Sequence, residues 1–446
     1  MMRNILLIGA GRSTSSLIHY LLENSVKENW IITVGDYSKD LAVASVGGNN
    51  NARAIFFNAN DDLQRRKEIK ASDIVISMLP ARMHHLVVKD CICFKKHLIT
   101  ASYSSEEIQD LDSIAKKENI LILNEIGLDP GIDHMSAMRV IDQIHTQNGK
   151  LTSFKSFCGG LIHPKYDNNA WNYKFTWNPR NVVLAGLDGA EYLKNNRRIS
   201  LSYQDLFNST EDLSIPDLGL FEAYPNRDSF GYIDTYGLKG IPTFLRGTVR
   251  KKGFCKAWDI FVQLGMTDDS VVIEDLEGMT YKDYLKLFLL GDDKIPIEDQ
   301  FCKKFNLSRT SDEFQKFCSL DLFSNINIGL KRATSAQVLQ KILEDKWNLS
   351  NDDKDMVVMK HEFIYTLEDK RLRKWDSSLV VYGEDMRYTA MAKTVGLPMA
   401  IAVKLILNKK INLSGVHIPT IPEIYNPILD ELECHGISFI EDIVNL

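Results

Sequence analysis

The sequence predicts an α/β protein whose N-terminal part is a parallel sheet with helices on both faces. Through residues 1–125, apolar runs typical of strands alternate with segments typical of helices, and this alternation indicates a parallel sheet. A glycine pair joins the first strand to the first helix. The length of 446 residues favours two or three domains.

The predicted elements of this N-terminal part follow one another in strict alternation. The strands are NILLIG, WIITVGD, ARAIFFNAN, ASDIVISMLP, HLITAS and ILILNEIG, and the helices between them are SSLIHYLLENS, LAVASVG, DDLQRRKEIK, MHHLVVKDCICFK and SSEEIQDLDSIAKKEN. The last of these helices carries acidic residues in its first turn, where the helix dipole favours negative charge.

The rest of the chain changes character twice. Residues 150–265 are rich in aromatic residues, Asn and Gly, and short strands such as LTSFKSFCGG and TFLRGTVR predict a mixed sheet. Residues 270–350 are rich in lysine and acids at helical spacing and predict a small helical cap. Strands are predicted again for the runs DMVVMKHEFIYTL and SSLVVYGEDM, and a long helix is predicted for TAMAKTVGLPMAIAVKLILNKK.

Composition excludes several classes of protein. Hydrophobic residues make up 44% and charged residues 25% of the chain, which is ordinary for a globular protein. A net charge of −6 without a basic block argues against a nucleic-acid surface. The apolar stretches are too short or too interrupted to span a bilayer, so no membrane is expected. Seven scattered cysteines and the lack of a signal-like leader predict reduced thiols and a cytoplasmic location.

The glycine pair predicts a dinucleotide site. Gly9 and Gly11 begin the pattern G-x-G-x-x-T, in which the first glycine allows a tight turn and the second lets a phosphate approach the helix. Arg12, Ser13 and Thr14 complete the turn. Asp36 ends the second strand, where a carboxylate holds the ribose hydroxyls of NAD and repels a 2′-phosphate. The pattern predicts a Rossmann domain that binds NAD or NADP, with NAD favoured; a Rossmann-like domain without nucleotide is the alternative.

A set of longer motifs carries a resemblance to a known family. They are ITASYSS (99–105), ILNEIGLDPGIDHMSAM (122–138), SFCGGLIHP (156–164), NYKFTWNPRNVVLA (172–185), YPNRDS (224–229), FLRGTVR (244–250) and AMAKTVGLPMAIAVK (390–404). In this order they closely resemble the saccharopine reductases, the glutamate-forming saccharopine dehydrogenases, over essentially the whole chain.

The resemblance implies a domain plan and a reaction. The Rossmann domain is expected at 1–127 and 390–446, a mixed-sheet α+β substrate domain at 128–268 and 350–389, and a small helical domain at 269–349. The implied reaction converts L-saccharopine, NAD(P)⁺ and water reversibly into L-glutamate, 2-aminoadipate 6-semialdehyde and NAD(P)H. A homodimer and small amino-acid substrates are the implied partners, and no metal is expected.

The resemblance also implies catalytic residues, each with a plainer alternative. Asp129 follows the sixth strand and is expected against the substrate amine; by sequence alone it would cap a helix beginning at Pro130. Ser102 and Tyr103 follow the fifth strand and are expected at the same sheet edge, or they are structural. Cys158 matches an active-site cysteine of the family and is otherwise a small hydrophobic residue; the reaction needs no nucleophile.

The substrate has three carboxylates, so cationic and polar side chains are expected around it. The candidates are Arg227, Arg246 and Thr248, with salt bridges inside the domain as the alternative, and Lys174 and Trp177, which are otherwise scaffold. Leu79 and Pro80 resemble the cofactor-contacting loop of the family. Lys39, three residues after Asp36, keeps NADP as a second cofactor.

Two rival functions remain at this point. Carboxynorspermidine and homospermidine synthases also combine an imine with a nicotinamide cofactor, but a polyamine needs an acidic pocket, whereas the arginine motifs here suit carboxylates. A nucleotide sensor with a dead Rossmann core is the non-enzymatic alternative. It would be supported by loss of Asp129, Tyr103 or the glycine pair, and all of these are present.

Overall fold

The structure, a computed structural model, describes residues 2–289, 291–292 and 294–446. The chain divides into two compact units. The first consists of Met1–Lys150 and Leu379–Ile440, and the second of Leu151–Ser378 and Glu441–Leu446. Each unit is therefore built from two separate segments of the chain.

The strands, in chain order, are β1 (Arg3–Ile8), β2 (Trp30–Asp36), β3 (Ala52–Phe56), β4 (Ile74–Ser77), β5 (His97–Ile99), β6 (Leu121–Leu123), β7 (Lys150–Ile162), β8 (Ala190–Lys194), β9 (Arg197–Leu201), β10 (Glu211–Ile215), β11 (Gly219–Pro225), β12 (Arg227–Asp228), β13 (Thr243–Lys251), β14 (Val272–Ile273), β15 (Ala333–Thr334), β16 (Asp355–Thr366), β17 (Leu372–Tyr382), β18 (Gly415–His417) and β19 (Ile440–Asn445).

The α-helices are α1 (Ser15–Glu28), α2 (Lys39–Val46), α3 (Asp62–Ala71), α4 (His84–Phe94), α5 (Glu106–Gln109), α6 (Asp112–Lys117), α7 (Ile132–Thr146), α8 (Pro179–Val183), α9 (Tyr203–Leu206), α10 (Gly231–Thr235), α11 (Phe254–Leu264), α12 (Tyr281–Leu289), α13 (Ile297–Phe305), α14 (Asp312–Ser319), α15 (Ser335–Trp347), α16 (Ala390–Leu407) and α17 (Pro422–Cys434).

The first unit is built around a seven-stranded sheet with the order β18-β6-β5-β4-β1-β2-β3. All its neighbouring strands are parallel. The strand order reverses between β1 and β4, and ligands of open parallel sheets bind at the carboxyl end of such a point. The predicted parallel sheet is confirmed. The seventh strand, β18, comes from the C-terminal segment and is too short to have a sequence signal.

Two local expectations differ from the structure. The predicted helix SSEEIQDLDSIAKKEN is two helices, α5 and α6, and Ser105 caps the first of them by accepting a hydrogen bond from the Ile108 amide. Residues 441–446 were expected in the Rossmann domain, but they belong to the second unit. They include most of β19, which pairs with β17 in the second unit, and the Ser377 hydroxyl donates a hydrogen bond to Glu441 at 2.8 Å.

The second unit contains a mixed sheet of ten strands. Its main path runs β10-β11-β13-β7-β16-β17-β19, with β8, β9 and β12 attached beside it. β13 is parallel to β7 but antiparallel to β11. Helices α12–α15 and the short β14–β15 pair occupy the segment expected to be helical. Its status as a separate domain remains a prediction.

A dense aromatic cluster fills the core of the second unit. Its members are Trp171, Tyr173, Phe175, Phe254, Trp258, Phe261, Phe317 and Trp347. Trp171 and Phe261 stack with ring centroids 5.5 Å apart, and Phe254 and Trp258 stack at the same distance. Burial of this many large rings fixes the strands and helices around them.

Helix α16 is the one helix in the described residues that is long and apolar enough to cross a membrane by length and composition. Within the fold, however, 83% of its apolar window is buried. An α16 glycine, Gly396, lies so close to α1 that an added Cβ would meet the Leu17 amide nitrogen at 2.9 Å. The helix is apolar because it packs in the core of the first unit.

Candidate active site

The turn after β1 is held by a backbone hydrogen bond to β2. The Gly9 amide donates to the Gly35 carbonyl at 2.7 Å. Gly9 has a φ of +109°, and a Cβ there would meet Met78 atoms at 3.0 Å. A side chain at Gly9 is therefore excluded by the protein itself.

Gly11 is different, because nothing in the protein requires a glycine there. Its φ is −73°, and no described atom lies within 4 Å of an added Cβ. The 3₁₀ turn Arg12–Thr14 follows, in which the Thr14 hydroxyl donates to the Gly11 carbonyl at 2.7 Å. No described side chain caps the start of α1. Open space beside uncapped helix amides is the cradle that a dinucleotide phosphate needs, so these residues fit the predicted cofactor.

Asp36 connects the end of β2 to this turn. Its Oδ2 accepts a hydrogen bond from the Ala10 amide at 2.7 Å, and its Oδ1 accepts one from the Ser38 amide at 2.7 Å. The carboxylate thus lies beside the glycine turn, and its role as a ribose ligand stays a prediction. Lys39 begins α2 and is exposed.

A buried histidine joins two strand ends at the same sheet edge. His84, the first residue of α4, is 1% exposed. Its Nδ1 lies 2.9 Å from the hydroxyl of Ser77, the last residue of β4, and its Nε2 lies 2.7 Å from the Ser102 hydroxyl after β5. Since Leu79 and Pro80 lie between Ser77 and His84, this network holds the predicted cofactor loop and orients Ser102.

The His84 network predicts a pH dependence of stability. Burial lowers the pKa of His84 from 6.5 to about 4. As the pH is lowered, the unfolded chain therefore protonates His84 before the folded protein does. The contribution of this group to the free energy of unfolding is fully present above pH 6.5, and about 3 kcal/mol of it is lost between pH 6.5 and 4. In the His84→Gln variant this part of the pH dependence of the unfolding free energy is expected to be absent, as measured by urea unfolding from pH 4 to 8.

The neighbouring His85→Gln variant is the control, because it places the same residue in the same helix turn. The burial argument would be contradicted if the difference in unfolding free energy between wild type and His84→Gln were the same at pH 4 as at pH 7.

Tyr103 and Asp129 lie at the same carboxyl edge. The Tyr103 hydroxyl donates to Asp129 Oδ1 at 3.5 Å, and both residues are half-buried. The alternative role of Asp129 as a cap of a helix beginning at Pro130 is wrong. Helix α7 begins at Ile132 with Gly131 as its N-cap, and the Gly131 amide donates to Asp133 Oδ1 at 2.6 Å.

A buried glutamate ties the two loops of this edge together. Glu125 Oε1 accepts a hydrogen bond from the Ser104 amide at 3.0 Å, and Oε2 lies 2.9 Å from His134 Nε2 of α7. Glu125 is 3% exposed and adopts a φ of +57°, which is uncommon outside glycine. Its side chain thus fixes the loops that carry Tyr103 and Asp129.

In the second unit, the sheet places several predicted residues side by side. Thr248 of β13 pairs in register with Cys158 of β7, and Arg246 pairs with Ser156. Cys158 and Arg246 are buried, whereas Thr248 is half-buried. The Arg246 guanidinium lies 4.4 Å from the centroid of the Tyr232 ring. Register neighbours share a face of a sheet, so these side chains form one polar patch.

The remaining predicted residues of this unit differ in their surroundings. Arg227 is exposed on β12, and Trp177 is half-buried just before α8. The Lys174 ammonium binds Asp353 at 2.7 Å in a buried pair, which favours the scaffold role predicted as its alternative. The structure places these residues in the same unit, while their role with substrate remains a prediction.

A cavity of about 620 Å³ in this unit lies apart from these residues. Phe157 and Leu245 line it together with Lys155, Tyr192 and Glu211. Phe157 and Leu245 are the strand neighbours of Cys158 and Arg246, so the cavity opens on the opposite face of the sheet. Its size alone does not identify the active site.

Two functional candidates were not assigned a role by the sequence. His84 contacts residues 7 and 18 positions away, and the Glu125 side chain contacts residues 21 and 9 positions away.

The fold and the glycine turn define a Rossmann-type dinucleotide-binding protein. Residues 5–123 match the family model of the saccharopine dehydrogenase NADP binding domain, and residues 127–437 match that of the saccharopine dehydrogenase C-terminal domain. The chain therefore belongs to the saccharopine dehydrogenase family, as the resemblance implied.

Individual relatives agree with the family. A Saccharomyces cerevisiae protein named saccharopine dehydrogenase (NADP(+), L-glutamate-forming) is 34% identical, with 99% of both chains covered. An Arabidopsis thaliana alpha-aminoadipic semialdehyde synthase is 35% identical over 92% of this chain, but the chain spans only 40% of that protein. The bovine mitochondrial synthase is 32% identical over 98% of this chain, which spans 47% of it.

Solved structures confirm the predicted fold class. The apo saccharopine dehydrogenase (L-Glu forming) from Saccharomyces cerevisiae superposes with a TM-score of 0.90 at 33% identity, covering 99% of this chain and 100% of that one. A homospermidine synthase from Legionella pneumophila, solved with NAD, reaches a TM-score of 0.52 at 10% identity, covering 99% and 92%. The second likeness shows a shared fold alone.

Proposed function

We propose that the chain catalyses the reversible, NAD(P)-dependent oxidation of L-saccharopine to L-glutamate and 2-aminoadipate 6-semialdehyde. The observation that carries this proposal is the carboxyl edge of the first sheet, where the open cradle at Gly11 and the Tyr103–Asp129 pair are built on one set of parallel strands. The full-length likeness to the yeast enzyme supports it.

The proposal gives each group a chemical task. The cofactor, when bound, accepts a hydride from the carbon beside the substrate nitrogen. Asp129, with Tyr103, orients the substrate amine and the water that completes hydrolysis, and it tunes their proton affinity. Arg227 and Arg246 supply guanidinium groups for substrate carboxylates.

The remaining residues hold or shape the binding surfaces. The residues assigned to the cofactor are Gly9, Arg12, Ser13, Thr14, Leu79 and Pro80. Those assigned to the substrate are Ser102, Thr248 and Trp177. Cys158 lines the polar patch and forms no covalent bond in this proposal, because amine oxidation by hydride transfer needs no nucleophile.

The experiment that tests the function is an assay of nicotinamide reduction. Purified protein is mixed with L-saccharopine and either NAD⁺ or NADP⁺, and absorbance is followed in the reduced-nicotinamide band. Saccharopine-dependent reduction is expected. Absence of reduction with both cofactors, while cofactor binding is intact, would overturn the proposal and favour a polyamine synthase.

Within this function we propose that NAD is preferred to NADP. Asp36 ends β2 and accepts a hydrogen bond from the glycine turn, so its carboxylate would repel a 2′-phosphate and bind the ribose hydroxyls of NAD. The Asp36→Ala variant is expected to reduce the NAD-to-NADP ratio of kcat/KM by about 10- to 100-fold, since one charge-assisted contact is lost.

The matched control is Asp40→Ala, which removes an exposed carboxylate from the first turn of α2. Its ratio is expected to stay at the wild-type value. An unchanged ratio in the Asp36 variant would mean that Asp36 only supports the turn, and a wild type that prefers NADP⁺ would refute the cofactor preference but keep the reaction.

A homodimer and a cytoplasmic location belong to the same proposal. Light scattering of the purified protein tests the first and imaging of the tagged full chain tests the second. A monomer at micromolar concentration would remove the dimer without affecting the assigned chemistry.

A further inference from the structure

The flank of α1 carries a cavity that the proposed reaction does not use. The cavity lies within the first unit and has a volume of about 220 Å³, which is the space of roughly seven water molecules. Helix α1 contributes Ser16, His19, Tyr20 and Glu23 to its lining. Their spacing of three, one and three residues puts these side chains along one face of the helix. The cavity therefore follows about two turns of α1, and it suits an elongated small ligand.

A buried hydroxyl lies at the inner end of this cavity. Ser16 is 5% exposed, and its Oγ is buried without a hydrogen-bond partner among the described residues. Ser25 of the same helix, by contrast, donates a hydrogen bond to the Leu22 carbonyl at 2.7 Å. A buried hydroxyl without a partner is unfavourable, because its lost hydration is not replaced. A polar ligand group in the cavity would supply the missing hydrogen bond.

An uncompensated carboxylate lies at the outer end, two helical turns after Ser16. Glu23 is exposed, and within the part of the chain that the structure describes no residue forms a hydrogen bond or an ion pair with it. The cavity also contains a cation, Lys393, but the Lys393 ammonium is already paired with Glu384. The charge left over is the negative charge of Glu23, and this favours a cationic group on the ligand.

Most of the remaining wall is aromatic. The His19 and Tyr388 rings lie 5.3 Å apart between centroids, and the Tyr20 and His435 rings lie 5.6 Å apart. Tyrosine faces attract cations, and the Tyr20 ring already lies 5.5 Å from the Lys404 ammonium. Among the described residues, no three His, Cys, Asp or Glu side chains are placed to hold a metal ion. The cavity therefore suits an organic cation.

We propose that this cavity binds a small aliphatic amine that carries a second polar group about five carbons from its ammonium. The ammonium donates hydrogen bonds to Glu23 at the outer end, and the second group forms a hydrogen bond with Ser16 at the inner end. The carbon chain between them lies along Leu397 and the aromatic rings. Diamines and amino acids with a terminal ammonium share this chemistry. No step of the proposed reaction uses these residues, so the ligand is bound without being converted.

Isothermal titration calorimetry of the full-length protein with 5-amino-1-pentanol tests the proposal. The dissociation constant is expected to be about 0.1–1 mM, as suits so small a ligand. 1,5-Pentanediol, which lacks the ammonium, is expected to bind at least about tenfold more weakly. 1-Aminopentane, which lacks the hydroxyl, is expected to bind about threefold to tenfold more weakly. Saccharopine and cofactor are left out, so the outcome does not depend on the proposed function.

Two variants assign the two ends of the ligand. Glu23→Gln is expected to weaken binding of 5-amino-1-pentanol by about tenfold, because a charge-assisted hydrogen bond is lost. Ser16→Ala is expected to reduce the affinity for 5-amino-1-pentanol to that for 1-aminopentane, and to leave the affinity for 1-aminopentane unchanged. Both variants are expected to keep the wild-type melting temperature, since Glu23 is exposed and Ser16 loses only an unpaired hydroxyl.

Glu28→Gln is the matched control. Glu28 is the other carboxylate of α1 and does not line the cavity. This variant is expected to bind 5-amino-1-pentanol with the wild-type dissociation constant.

Equal dissociation constants for wild type and Glu23→Gln would overturn the proposal. So would a diol that binds as tightly as the amino alcohol, because the cavity would then be an apolar surface groove without selectivity for charge. Cadaverine and L-lysine distinguish the two natural sources of the ammonium. Tighter binding of cadaverine supports a diamine, tighter binding of L-lysine supports an amino acid, and no saturable binding of either below about 10 mM would overturn the proposal.

Discussion

Replacing Asp129 with alanine is expected to lower the turnover number with L-saccharopine by about 10²- to 10⁴-fold, the usual contribution of a positioned acid or base. Asp129 follows the sheet's carboxyl edge and accepts a hydrogen bond from the Tyr103 hydroxyl. It does not cap α7, whose N-cap is Gly131. The loss is therefore expected in kcat rather than in the melting temperature, measured by steady-state kinetics and thermal unfolding of the same preparation.

Asp61→Ala is the matched control for this variant. Asp61 caps α3 by accepting a hydrogen bond from the Gln64 amide at 3.1 Å, so its loss is expected to cost about 1 kcal/mol of unfolding free energy and no turnover. An Asp129→Ala protein that behaves like this control, with lower stability and normal turnover, would return Asp129 to a structural role.

The Gly11→Val variant is expected to weaken cofactor binding by about 100-fold or more while the melting temperature stays at the wild-type value. The backbone at Gly11 suits any residue, and no described atom opposes a side chain in the free protein. The new side chain would fill only the space kept for the phosphates. Fluorescence titration with reduced nicotinamide cofactor measures the dissociation constant.

Gly9→Val separates this effect from simple damage to the turn. Its φ of +109° and the close approach of Met78 predict a lower melting temperature before any cofactor is added. Equal loss of stability in both variants would show that Gly11 also serves the fold. Unchanged cofactor affinity in a folded Gly11→Val protein would place the phosphates elsewhere.

Much of the first unit could be predicted because its signals are local. The apolar runs NILLIG and WIITVGD correspond to β1 and β2, and a buried parallel sheet needs such runs on adjacent strands. The same local rules failed at Asp129. Asp-Pro-Gly resembles a helix start, but the chain turns at Gly131, with a φ of +147°, and the helix begins one residue later.

Other features depended on partners far away in sequence. Lys174 is held by Asp353, 179 residues later, and nothing near either residue announces the pair. His84 acquires its role by lying between two strand ends.

The division of each unit into two chain segments has a consequence for biosynthesis. On a ribosome, residues 1–150 emerge long before α16, the buried apolar helix beside α1, and before β18 at the edge of the sheet. The first unit cannot be completed until these later elements emerge, so the nascent chain carries unfilled apolar surface at the first core and has most need of chaperones during that interval.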